Sequence, residues 1–442
     1  MYLKELAQII AQDCDEHRVV TGVALNHQLI QPGYVFIAVK GAHVDGHDYA
    51  SRAVANGAIA VLAQHPIDDV NVPVLITQDY VADLTKIALH HRQQQQLKIM
   101  ALTGSNGKTT VKDMLASILP ATTYVSHGNF NNHLGVPINL MALKPSHDLA
   151  VFELGANAKG DIAHTAALLA PDICLINNIG PAHLGGFGSL DGVAHAKGEI
   201  YQALRPGQVA IVNDDDVYAH FWDTLLHDKQ VLRFSSTHEA DIFASDSRVS
   251  VSACYEFRLH LPNMPSALIA LQVPGRHQVQ NALAAASMSF AAGLDITAIQ
   301  AGLQTFTGVN GRLNIFKGVN GATIIDDSYN ANLASVKAGI DVLAEYAGHK
   351  ILAIGDVAEL GEHSQSQHQA IGQYAKARGI DQLLAVGDAS QFCALTFGEG
   401  AQHFVNRQAL ATYLRAGLSA NVSVLIKGSR SSRMDEIIPF MI

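Results

Sequence analysis

The stretch Thr103-Gly104-Ser105-Asn106-Gly107-Lys108-Thr109-Thr110 constrains this chain more than any other. An apolar run, Ile99-Met100-Ala101-Leu102, leads into it, and a helix-compatible run over residues 111–119 leads out. A strand that feeds a glycine turn and then a helix gathers backbone N–H groups around one anion. Gly104 and Gly107 permit the turn, and Ser105, Asn106 and Thr110 complete the cradle. Lys108 adds a fixed positive charge, and Thr109 adds a hydroxyl suited to magnesium. The usual fingerprint has about four residues between its glycines. Here only Ser105 and Asn106 separate them, so this is a shorter GxxGKT form. An ordinary glycine turn with a solvated lysine does not explain why Lys-Thr-Thr falls in the first turn of a helix. The stretch therefore predicts binding of a nucleotide's phosphates.

A chain of 442 residues is too long for one core, and 48% hydrophobic residues can fill more than one. The formal charge of -10 argues against nucleic acid as a partner, because such binding rests on neutralising phosphates. Cys14, Cys174, Cys254 and Cys393 are scattered and form no CxxC pair, so neither a disulfide framework nor a zinc site is expected. Met1-Tyr2-Leu3-Lys4-Glu5 carries no apolar signal core, and the alanine-rich run at 282–294 is too short to cross a bilayer. The expectation is a cytoplasmic monomer with no membrane insertion.

Hydrophobic patterning divides the chain into three α/β domains. Residues 1–96 read as a small α/β unit ending in Gln93-Gln94-Gln95-Gln96. Residues 97–311 alternate strand and helix signals around the glycine turn, which implies a mostly parallel sheet like that of P-loop ATPases. Within them, residues 240–273 change character: runs at 249–254, 257–261 and 267–273 read as strands of a small antiparallel insert. Residues 312–442 resume the alternation in a Rossmann-like order but lack GxGxxG.

Several polar groups fall at predicted strand ends, where open α/β sheets place their ligands. Glu153 ends the run 149–152 and is placed to hold magnesium. His183 follows a Gly-Pro turn. Lys197 lies on a helix, where a lysine is ordinarily solvated. Asn281 lies in the Gly275–Asn281 stretch that opens a helix before the second boundary. Arg312 sits on that boundary, and Asp327 lies in Asp326-Asp327-Ser328-Tyr329-Asn330-Ala331-Asn332.

Together these residues resemble the Mur ligase family, the ATP-dependent amide ligases of peptidoglycan precursor synthesis. The resemblance covers essentially the whole chain. It rests on the glycine turn, on Gly128-Asn129-Phe130-Asn131-Asn132 with Gly135-Val136-Pro137, and on Glu153-Leu154-Gly155-Ala156-Asn157. It rests further on Asn178-Ile179-Gly180-Pro181-Ala182-His183-Leu184, Ala196-Lys197-Gly198-Glu199-Ile200, the Asp326–Asn332 stretch, Gly355-Asp356-Val357-Ala358-Glu359-Leu360-Gly361 and Lys427-Gly428-Ser429-Arg430. Within the family the last motifs are most similar to the branch that adds D-alanyl-D-alanine to UDP-N-acetylmuramoyl-tripeptide.

That resemblance implies roles. Lys108 would hold ATP phosphates, and Thr109 and Glu153 one Mg2+. His183 would bind a second Mg2+ with Lys197 carbamylated into a carboxylate ligand. Asn281 would contact the adenine side, Arg312 the phosphates and Asp327 the ribose, while Asn131, Asn132, Asn330 and Asn332 are candidates for the peptide substrates. The first domain would hold the UDP-sugar. The Asp-Ser-Arg usual there is replaced by Asn26-His27-Gln28, a proline common after Asn332 is Leu333, and the usual late glutamate is Asp435. The implied chemistry is attack of a substrate carboxylate on the γ-phosphate, then of the dipeptide amine on the acyl phosphate. Three other readings stand beside it: a related ligase for a different carboxylate, folylpolyglutamate synthesis, and a P-loop ATPase acting as a switch.

Overall fold

The computed structural model describes residues 1–41, 44–181, 184–250 and 252–442. Its strands collect into three sheets, with helical crossovers between most neighbours, so that adjacent strands run mainly parallel. The first sheet is β1 (Gly22–Ala24), β2 (Tyr34–Ile37), β3 (Ala60–Ala63) and β4 (Val74–Ile76), in that order and all parallel. Every residue of β3 is buried, as expected of a parallel strand covered on both faces. Helix Tyr80–Gln93 is capped by Asp79, and its Leu84 and Ile87 share one core with Leu62 of β3 and with Ile99 and Phe152 of the next sheet.

The second sheet contains β5 (Lys98–Thr103), β6 (Thr123–Val125), β7 (Leu149–Glu153), β8 (Ile173–Ile176), β9 (Val209–Asn213), β10 (Gln230–Ser235), β11 (Ile242–Val249), β12 (Cys254–His260) and β13 (Ala267–Pro274). Their spatial order is β13-β12-β11-β10-β9-β8-β5-β7-β6. Strand β5 lies between β7 and β8, so the connections leaving it diverge and open a crevice at its carboxyl end.

The expected insert over residues 240–273 is corrected here. Of the expected strand at 249–254, residue 251 lies outside the described residues and residues 250, 252 and 253 are not strand: Val249 ends β11, Cys254 opens β12, and Ser250 N–H donates to the Cys254 carbonyl at 2.8 Å. Strand β11 pairs in parallel with β10, so the antiparallel hairpins extend the central sheet rather than forming a separate unit. The second half of β11, Ser245-Asp246-Ser247-Arg248, is polar and mostly exposed, which removed the apolar signal that would have marked it.

The third sheet has β14 (Asn314–Lys317), β15 (Thr323–Asp327), β16 (His349–Gly355), β17 (Gln382–Val386), β18 (Ala401–Phe404) and β19 (Val422–Lys427), ordered β14-β15-β19-β16-β17-β18. Only β14 is antiparallel. Successive strand residues serve opposite faces. Ile325 and Leu425 pack with Val336 and Ile340, whereas Ile324 and Val424 pack with Leu410 and Leu414. Helices therefore cover both faces, the doubly wound arrangement expected of a Rossmann-like domain. Among the described residues no helix is long and apolar enough to cross a membrane.

Candidate active site

Strand β5 delivers the glycine turn to the crevice. Gly107 has φ +80°, and a Cβ there would lie 2.4 Å from Asn281 Oδ1 and 2.5 Å from Asn177 Nδ2. Gly107 also occupies the N-cap of helix Lys108–Ile118, and no side chain caps that helix. Asp79, Ser189, Asp295, Asn332 and Asn406 cap other helices with their own oxygens. The uncapped first turn leaves its N–H groups, at the positive end of the helix dipole, to an anion. Asparagines hold the turn in shape. Asn106 N–H donates to Asn178 Oδ1 at 2.8 Å, and Asn177 Nδ2 donates to the Asn106 carbonyl and to Asn281 Oδ1, both at 3.0 Å.

Glu153 ends β7, is 3% exposed, and stands one strand away from the turn. It accepts from Thr109 Oγ1 at 2.9 Å and from Asn131 Nδ2 at 2.7 Å. Arg312 comes from the segment that leads into the third sheet, and its Nη2 donates to Thr109 Oγ1 at 3.2 Å. Its guanidinium lies 4.6 Å over the Tyr329 ring, and its Nε is buried without a hydrogen-bond partner. Lys108 Nζ donates to the Gly104 carbonyl at 2.7 Å. Burial lowers its pKa, Glu153 opposes that shift, and Arg312 adds to it.

Lys197 is 3% exposed rather than solvated. Burial first, and the Lys108 charge second, hold its ammonium well below the usual lysine range. Among the described residues no carboxylate lies within ion-pair distance of it. His183 lies outside the described residues. Among the described residues no group of three or more His, Cys, Asp or Glu side chains stands together as a metal cage. One hydroxyl and one carboxylate, Thr109 and Glu153, nevertheless suit magnesium, which keeps several waters and takes its remaining ligands from phosphates.

Asp327 ends β15 directly opposite Lys427 at the end of β19, and the two form a buried ion pair at 2.6 Å. Burial raises the Asp327 pKa and Lys427 counters it. Lys427 also donates to the Asn330 carbonyl at 3.1 Å. Motif reading passed over its role; a lysine closing an all-buried strand, VSVLIK, was the available signal. Lys112 was missed as well. It is 3% exposed and donates to the Ser126 and Gly128 carbonyls at 3.0 and 3.1 Å, which fixes the loop that carries Asn131.

The remaining asparagines divide. Asn132 Oδ1 accepts from Leu134 and Gly135 N–H groups, and Asn330 Oδ1 from Ala331 N–H, so both side chains serve local turns. Asn332 Nδ2 instead reaches Asn106 Oδ1 at 2.8 Å. Asn281, 4% exposed, packs behind Gly107. Next to it, a cavity of about 470 Å³ lies between the second and third sheets, lined by Ser236, Thr237, Gly275, His277, Gln280 and Asp341 among others. A larger cavity, about 640 Å³, sits at the ends of β16 and β17, with Gly387 and Arg407 on its wall, and contains none of the predicted site residues. In the first domain Asn26 Oδ1 accepts from Gln28 N–H at 2.9 Å, and His27 stacks on Tyr49 at 4.8 Å.

Three family models match the chain: Mur ligase family, catalytic domain, over residues 19–100; Mur ligase middle domain over 102–289; and Mur ligase, glutamate ligase domain, over 311–430. The UDP-N-acetylmuramoyl-tripeptide–D-alanyl-D-alanine ligase of Escherichia coli K12 is 41% identical over 420 residues, 94% of this chain and 92% of that one. The crystal structure of MurF from Acinetobacter baumannii superposes with a TM-score of 0.89 at 34% identity, covering 99% of this chain and 98% of that one. The Thermotoga maritima MurF ligase, solved in complex with ADP, shares the fold with a TM-score of 0.81 at 24% identity, covering 95% and 97% of the two chains.

Proposed function

The chain belongs to the Mur ligase family, and we propose that it joins D-alanyl-D-alanine to UDP-N-acetylmuramoyl-tripeptide at the expense of ATP. It is a ligase that forms a C–N bond, in peptidoglycan precursor synthesis. The observation that carries the mechanism is the single chain of bonds Asn131–Glu153–Thr109–Arg312, which ties the phosphate-binding turn to the neighbouring strand β7 and, through Arg312, to the segment that leads into the third sheet.

In this reading the uncapped turn at Gly107 receives the ATP phosphates, and Lys108 and Arg312 neutralise the oxygens of the transferring phosphoryl group. Thr109 and Glu153 would hold Mg2+, which when bound supplies charge neutralisation for phosphoryl transfer. The tripeptide carboxylate attacks the γ-phosphorus and ADP leaves. The dipeptide amine then attacks the acyl carbonyl, and phosphate departs with one former carboxylate oxygen. Asn281 would back the turn on the adenine side, Asp327 with Lys427 would lie toward the ribose, and Asn131, on the loop whose turn Asn132 holds, would lie toward the peptide.

Lys197 fits a carbamate. Burial shifts its pKa down and so favours the neutral amine, the form that adds to carbon dioxide with loss of one proton. The product would be an anion that, with His183, would hold a second Mg2+ and supply it a carboxylate-like ligand. Lys197→Ala should abolish turnover, and short carboxylates should restore part of it; undiminished turnover removes Lys197 from the site. The proposed domain limits are 1–96 for the UDP-sugar, 97–311 for ATP and 312–442 for ligation. The proposed assembly is a monomer.

The test is phosphate release with ATP, Mg2+, the UDP-tripeptide and D-alanyl-D-alanine. Release that requires both acceptors supports the proposal. Release without either acceptor indicates a switch ATPase, and release only with another carboxylate indicates a different ligase.

A further inference from the structure

Asn106 has both backbone polar groups committed: its N–H to Asn178 Oδ1 and its carbonyl to the Asn177 and Asn178 amides. Its side chain faces the third sheet. There Asn106 Oδ1 accepts from Asn332 Nδ2 at 2.8 Å, a bond between residues 226 positions apart. Asn332 is itself fixed. It caps helix Leu333–Ala344, its Oδ1 accepting from Ser335 N–H at 2.8 Å and its N–H donating to Ser335 Oγ at 3.0 Å. The turn before it is braced as well: Asp326 Oδ1 takes the Ser328 N–H and hydroxyl, and Lys427 takes the Asn330 carbonyl. Asn332 therefore uses its oxygen within the third sheet's domain and its nitrogen on the phosphate-binding turn.

The other polar bond from this side of the site, Arg312 to Thr109, ends on a hydroxyl proposed to ligate magnesium. The Asn332–Asn106 bond ends on a side chain with no assigned ligand contact. We propose that Asn332 is a positioning residue that latches the carboxy-terminal domain onto the turn, closing the site over the acyl phosphate, rather than a peptide-binding residue. An acyl phosphate left open to water hydrolyses, so losing the latch uncouples phosphate release from amide formation.

This inference rests on the ligase reading. Asn332→Ser keeps a side chain that caps helices well but is too short to reach Asn106. The measurement is phosphate released per amide formed, with the unfolding midpoint recorded alongside. The native protein should give one phosphate per amide. Asn332→Ser should raise that ratio at least about two-fold while the midpoint stays in place. Asn106→Ala leaves the helix cap untouched and should raise the ratio similarly, which keeps the test valid should Asn332→Ser fail to fold. The double variant should be no worse than the worse single variant, because both remove one bond. A ratio of one in either folded variant, or additive effects in the double, overturns the latch. Absence of acceptor-dependent phosphate release in the native protein overturns the ligase reading instead.

Discussion

Glu153 shows how much one buried carboxylate depends on its holders. Thr109 and Asn131 each bind one of its oxygens, and Asn131 sits on a loop pinned by Lys112. Asn131→Ala removes a holder without touching a metal ligand. It should raise the magnesium concentration needed for half-maximal rate by about 10- to 100-fold, read from a magnesium titration at saturating ATP. Lys427 makes a different kind of contribution. Lys427→Met leaves Asp327 buried and unpaired, and should cost about 3–5 kcal/mol in urea unfolding; adding Asp327→Asn should recover much of it. His277 bears on pH. Burial, aided by the Lys427 charge, takes its pKa from 6.5 to about 4. As pH falls below 6.5 the unfolded chain binds a proton that the folded chain refuses until about 4, so the stability due to neutral His277 is present above 6.5 and lost across that window. His277→Gln should flatten the fall in stability between those limits, measured by urea midpoints across pH. At this scale the sequence marked residue types and missed environments. Glu153 and Arg312 were legible as strand-end and boundary charges. Lys197 was not, because a lysine within Ala196-Lys197-Gly198-Glu199-Ile200 carries no local sign that its helix is buried from Ala196 to Tyr201.

At the scale of elements, the glycine turn was legible in full, because it combines a strand, a phosphate geometry and a helix start in consecutive residues. Gly107→Ala tests it. At φ +80° an alanine is strained by about 1–2 kcal/mol, and its Cβ would overlap Asn281 and Asn177. The native protein's thermal midpoint should rise on adding ATP with magnesium; in Gly107→Ala that rise should vanish, and the midpoint without nucleotide should itself fall by a few degrees. Two of the short elements were not legible. Strand β6 has 3 residues and β14 has 4, and neither offers enough of an alternating pattern to stand out. The hairpin of β11 and β12 was displaced for a different reason: the second half of β11 is polar and mostly exposed, which hid the strand from an apolar reading.

At the scale of the molecule, the site exists only where two sheets meet. Thr109 and Asn106 come from one, and Arg312 and Asn332 come with the other. Sequence signals gave the three-domain plan, because strand and helix alternation persists over long segments. They could not give which groups face each other across the boundary, since those pairs lie 203 and 226 positions apart. The central claim is that the phosphoryl group goes to a substrate carboxylate rather than to water. It is tested most directly with a UDP-tripeptide whose terminal carboxylate is labelled with oxygen-18, turned over with ATP, magnesium and D-alanyl-D-alanine. The account predicts one labelled oxygen in each released phosphate. Phosphate free of label, its new oxygen drawn from solvent water, would contradict it.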